Sequence, residues 1–220
     1  MDTDSFWTLL EDSRRHGFGG DKRDAWLRHA LARLPADEIV GFQACLDRMT
    51  DEAFTWNLRG AADRVFGGWC SDDAFRAFQH WMMGLGRAVF EAAVNDPDVL
   101  AYAPEVFRLA GRPRSDWSPE DRPGWPALDT LGFQAYELAT GPSGDFGDAF
   151  YAAVRAVLRA AERAGQASGH AGAPPAPPGR RDPTGRRWTA LDEEEAARRL
   201  PRLSVMFPLD GPEPPRRGSR

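Results

Sequence analysis

The stretch DEAFTWNLRGAADRVFGGWCSDDAFRAFQHWMMGLGRAVFEAAVN, residues 51–95, decides the fold. Phe54, Leu58, Ala61 and Val65 recur at intervals of four and three, the spacing of one helix face, and Thr50 with Asp51 and Glu52 supplies a polar, acidic start. Gly67-Gly68 stops that helix. Ser71 is placed to cap the next one, in which Phe75, Phe78, Met82, Leu85, Val89 and Ala92 make one seam down to Asn95. Two helices joined by the short GGWCS segment predict an antiparallel hairpin with that segment at one end of the molecule.

The same periodicity extends outward in both directions. Asp4 can cap a first helix carrying Phe6, Leu9 and Leu10, which His16-Gly17 and Gly19-Gly20 break. A second helix from Asp21 carries Trp26, Ala30 and Leu34 as its stripe. A third opens at Pro35, with Asp37 and Glu38 favouring its N-terminal end and Ile39, Phe42, Leu46 and Met49 facing the core. Cys45 beside that stripe reads as a buried structural thiol. Beyond Asn95, Asp96-Pro97 begins a short helix, and residues 104–127 are irregular with Trp117 and Trp125 pinned onto the helices. Leu128–Ala139 is helical, and Asp145–Gly165 is amphipathic through Phe146, Phe150, Val154, Val157 and Ala161. Asp192 caps a last helix, after which Leu203, Val205 and Phe207 are apolar enough to dock on the core.

No run alternates as a strand does, so the expectation is an all-α, orthogonally packed multi-helix single domain. Its parts are a helical core over 1–165, a flexible Pro/Gly/Arg-rich linker over 166–187, a docked C-terminal helix and apolar segment over 188–209, and a disordered tail over 210–220.

Composition narrows the function classes. With 42% hydrophobic and 28% charged residues the chain is an ordinary globular one, and eight Trp with 13 Phe predict an aromatic core. No 18 apolar residues run together, and the start is acidic and amphipathic, so neither a membrane helix nor an export signal is expected. Two cysteines make no disulfide framework, which predicts a cytoplasmic protein with reduced thiols. A formal charge of −5 weighs against a nucleic-acid binder. The exception is the arginines at 180, 181, 186 and 187 and at 216, 217 and 220, which either meet an acidic partner or are simply solvated. Lys22 is the only lysine, a bias that reads as GC-rich bacterial coding.

Residues 56–101, from WNLRGAADRVFGGWCSDDAF onward, resemble the core of a bacterial family known as domain of unknown function 4240. FWTLLEDSR, LPADEIVGFQACLDRM, YELATG and LPRLSVMF resemble other parts of it. The resemblance supports the fold and nominates the GGWCSDD loop, but implies no activity, cofactor or partner.

That loop joins a glycine pair to a helix N-terminus, where free backbone N–H groups attract anions and lower the pKa of a neighbouring thiol. Cys70 is therefore either a packed structural thiol or a nucleophile, although Asp72 and Asp73 repel anions there. The two aspartates read as first-turn acids, with Asp72 paired to Arg76 at i, i+4, or as a cation site completed by Asp63. His80 falls on the polar side of its helix with Asp73, Arg76 and Arg87, either solvated or a general base. Trp56, Asn57, Gly60, Asp63 and Arg64 share a face off the apolar stripe, read as a groove for a ligand or partner or as a helix crossing covered by a tryptophan. No His or Cys pair stands at metal-ligand spacing, and the Walker, dinucleotide and Gly-x-Ser-x-Gly signatures are missing.

The leading reading is a non-enzymatic binding or regulatory module that engages a protein or small ligand through Trp56, Arg64, Trp69, Asp72 and Asp73, with any cofactor unknown. The alternative is an enzyme whose pocket gathers Cys70, Asp72, Asp73 and His80.

Overall fold

The computed structural model describes residues 1–17, 20–142, 144–145, 147–167 and 182–209, the side chains of 166 and 167 excepted. Among them all regular structure is helical: α1 (Thr3–Ser13), α2 (Asp21–Leu31), α3 (Ala36–Glu52), α4 (Trp56–Phe66), α5 (Asp72–Gly84), α6 (Arg87–Asn95), α7 (Pro104–Phe107), α8 (Leu128–Thr140), α9 (Asp148–Ala167), α10 (Glu193–Arg199) and α11 (Pro201–Met206). Short 3-10 turns occupy Arg14–His16, Pro97–Tyr102 and Arg114–Asp116. The fold is an all-α single domain. Most of the expected 166–187 linker, the 210–220 tail and Phe146 lie outside the described residues.

Helix α3 runs through the middle. Its residues 39–46 are buried without interruption, because α1 and α5 pack on it as well as α8 and α9. Phe42 meets Phe6 of α1 at 5.2 Å between ring centres, and each such ring removed from water contributes about 2–3 kcal/mol. Helix α3 also outruns its expected end. The Thr50 hydroxyl donates to the Leu46 carbonyl inside it, and Thr55 caps α4, accepting from the Leu58 N–H at 3.1 Å. At the N-terminus Asp2, not Asp4, caps α1. On α2 the buried stripe is Arg23, Leu27 and Leu31, displacing the expected Trp26, Ala30 and Leu34.

The seam expected to run unbroken from Ser71 to Asn95 is divided. Gly86, at φ 106°, turns the chain between α5 and α6. Two arginines gather the carbonyls left open there: Arg14 Nη1 donates to the Leu85 oxygen at 2.5 Å and Arg23 Nη2 to the Gly84 oxygen at 3.3 Å. Arg23 is itself buried, stacked 3.8 Å from the Trp125 ring centre and donating to Ser13 Oγ at 2.9 Å. Trp117 and Trp125 are buried on the helices, as the sequence predicts for the irregular middle segment.

The C-terminal segment returns beside α4. Phe54 O accepts from Thr184 N–H and Thr184 O accepts from Trp56 N–H, both at 2.9 Å. From there α10 and α11 lay Ala196, Leu200, Leu203 and Phe207 into the core. Val205 stays exposed, because the segment is helical and not extended, so residue 205 does not share a face with 203 and 207. Likewise only the first half of α9 packs: Phe150 and Val154 are buried, whereas Val157 and Ala161 are exposed.

Candidate functional site

The end of α3, the first turns of α4 and α5 and the returning segment 182–189 enclose a cleft of about 1040 Å³. Among the described residues, aromatic rings from Phe54, Trp56, Trp69, Phe75 and Trp188 line it, together with five aspartates and three arginines. The sequence folds this way locally because each helix start carries its own cap. Ser71 Oγ accepts from Ala74 N–H at 3.1 Å to begin α5, and Gly67, left-handed at φ 92°, ends α4. Asp63 Oδ1 accepts the Cys70 N–H at 2.9 Å and ties the glycine turn between them.

Arg59 holds the floor of the cleft. It donates to Asp72 Oδ1 at 2.9 Å and to the Cys70 carbonyl at 2.8 Å, and lies 3.7 Å from Asp63. Its guanidinium sits 5.2 Å from the Phe75 ring centre. The cation that Asp63 and Asp72 receive is thus the chain's own. Asp72 does not pair with Arg76 as expected; Arg76 reaches across to Asp129 on α8 at 2.7 Å. Among the described residues no three His, Cys, Asp or Glu side chains gather closely enough to hold a metal ion.

Of the residues singled out from the sequence, Trp56, Trp69, Asp72 and Asp73 line the cleft. Trp69 is 71% exposed, and Asp73 has no hydrogen-bonding or ionic partner among the described residues. Arg187 lies 5.1 Å from the Trp56 ring centre. The other three stand elsewhere. Arg64 is buried under the C-terminal segment, where it meets both Glu193 oxygens at 2.7 and 2.9 Å and the carbonyls of Ala190 and Ser204. That makes it a clamp for the segment, out of reach of a ligand. Cys70 is buried, and its burial and the Asp63 carboxylate push the thiol up to about 12.

His80 corrects the expectation of a solvated side chain. The Trp125 segment lies on that side of α5, with Trp125 N–H donating to the Ala77 oxygen at 2.9 Å, and His80 is wholly buried. Burial, helped by the Arg76 charge, lowers its pKa to about 4, so it is neutral at ordinary pH.

The α4 face that carries Trp56, Asn57, Gly60 and Arg64 is a groove, and the chain's own C-terminal segment fills it. The Trp188 ring rests on Gly60 so closely that a methyl group there would overlap it. Arg199 donates to Asn57 Oδ1 at 2.8 Å and lies 5.4 Å from the Trp188 ring centre. A tryptophan does cover Gly60, but it is Trp188 and not Trp56. The i, i+4 spacing of Arg59 and Asp63 was a local signal for the floor of the cleft; nothing local announced Trp188 or Asp182.

Fold and cleft together define an all-α domain with an aromatic- and carboxylate-lined cleft closed on one side by its own C-terminal segment. The chain belongs to the family described as "Protein of unknown function (DUF4240)", whose model matches residues 1–138. The match takes in α1 to α7 and most of α8, and leaves α9 to α11 outside, including the LPRLSVMF stretch that resembles the family in the sequence. No curated protein and no solved structure matches the chain. No helix among the described residues is long and apolar enough to cross a membrane.

Proposed function

We propose that the protein is a non-enzymatic binding module whose cleft at the hairpin end receives a cationic group of a protein or small ligand, in the cytoplasm. The observation that carries this reading is Trp69, a large aromatic side chain left 71% exposed at a cleft lined by four further aromatic rings. Exposed tryptophans at concave sites are the side chains that most often supply binding energy. The charge balance among the described residues selects a cation: five aspartates line the cleft against three arginines, and Arg76 is engaged with Asp129 outside that set. Arg187 over Trp56 already exhibits the pairing of cation and aromatic face that such a ligand would use.

The enzyme reading has weaker support. It needs Cys70 and His80 beside Asp72 and Asp73, yet neither Cys70 nor His80 lines the cleft. A thiol held near 12 is not a thiolate, and an imidazole near 4 is a poor base.

Titration of tryptophan fluorescence with agmatine and spermidine, against acetate and inorganic phosphate, tests the proposal. Saturable changes with the two cations, weakened about tenfold by Asp73→Asn or Trp69→Ala, support it. A response to phosphate alone, or none to any probe, removes it.

A further inference from the structure

A second concave surface shares no residue with the cleft. Between the 97–102 turn, α7 and α11 lies a groove of about 870 Å³. Tyr102, Phe107 and Val205 line it at 65%, 68% and 81% exposure, three of the seven large exposed apolar side chains among the described residues. They come from three separate elements and so converge only in the folded chain. Their exposure is not slack packing, since the opposite sides of the same elements are closed: Leu100, Val106 and Leu203 are fully buried. The start of α11 is pinned as well, with the buried Asp98 carboxylate accepting from Arg202 N–H at 3.0 Å and Leu203 N–H at 2.9 Å. Val205 is therefore held outward on a fixed helix.

We propose that this groove is a docking surface for a partner protein that presents an apolar segment flanked by carboxylates. Charge selects that occupant. Among the described residues the only charged ones lining the groove are Arg108 and Arg202. Arg202 pairs with Asp98 and lies 4.9 Å from the Tyr102 ring centre, which leaves Arg108, without an ionic partner among the described residues, as the open charge at the edge. The same surface of a second copy, brought up across a two-fold axis, offers arginines and no carboxylate among its described lining residues, and so leaves Arg108 unmatched. The half-open face of α9 is no better a match, because the neighbours of its exposed Val157 at three and four residues are Ala153, Val154, Ala160 and Ala161, which offer Arg108 no carboxylate. Residues 210–220, DGPEPPRRGSR, contain no apolar side chain larger than proline with which to fill the groove.

The test uses the full chain and two fluorescein-labelled peptides of about 18 residues with one shared helical register of Leu and Phe, differing only in flanking Glu or Lys. Anisotropy is expected to show the Glu peptide binding about tenfold or more tighter than the Lys peptide. Val205→Asp should abolish binding and Arg108→Glu should reverse the preference. Both positions are exposed, and unchanged melting curves of the variants keep a negative result meaningful. Equal affinity for the two peptides, no binding of either, or binding indifferent to Val205→Asp overturns the proposal. So does self-association that Val205→Asp abolishes, because it would give the surface to a second copy.

Discussion

His80 is fully buried, and neither imidazole nitrogen has a hydrogen-bond partner among the described residues. Its folded pKa near 4 lies below the ordinary 6.5, so the unfolded chain takes up a proton first as pH falls. Stability is then lost progressively from pH 6.5 toward 4, by on the order of 3 kcal/mol. Asp47 and Asp63, whose carboxyls burial pushes up, act in the opposite sense. Urea melts at successive pH values should show this loss, and His80→Met should flatten it; an equally steep fall in the variant would place the effect on another group. Cys70 invites a second measurement. A buried thiol held near 12 should resist iodoacetamide at pH 8 in the native protein and react once urea is added. Rapid native alkylation of Cys70 would revive the nucleophile.

At the scale of elements, α4 serves as a socket for the C-terminal segment. Gly60→Ala should expel the Trp188 ring, which it would overlap, and loosen the 183–209 segment. Limited proteolysis should then cut ahead of α10 much faster than in the parent chain, and an unchanged digestion pattern would mean that Trp188 finds another seat. Asp98→Ala removes the N-terminal partner of α11 and its ion pair with Arg202, at a cost of about 2 kcal/mol in denaturant stability. The break between α5 and α6 belongs to this scale too. The apolar spacing from Phe75 to Ala92 suits one long helix, but arginines from α1 and α2 collect the carbonyls at residues 84 and 85 and make the turn at Gly86 tolerable.

For the molecule as a whole, the C-terminal segment is structural although the family match ends at residue 138. Leu200, Leu203 and Phe207 each contribute about 2 kcal/mol by burial, together comparable to the entire stability of a small domain. A chain ending at Asp182 is therefore expected to bind a hydrophobic dye and to lose its cooperative melt. A sharp transition with no dye binding would show that residues 1–182 fold alone. The same deletion removes the wall of the cleft formed by 183–189 and the α11 side of the second groove.

The helices were legible in the sequence because apolar periodicity and caps such as Ser71 and Asp192 act over a few residues. That much determined an all-α chain and placed Trp56, Trp69, Asp72 and Asp73 at one end of it. Which groups meet was decided only by tertiary packing. Arg64 finds Glu193 across 129 positions, Trp188 settles on Gly60, and the Trp125 segment closes over the helix that carries His80. Such partners leave no periodic trace, since a polar residue on a helix reads alike whether it faces water or a distant segment of its own chain.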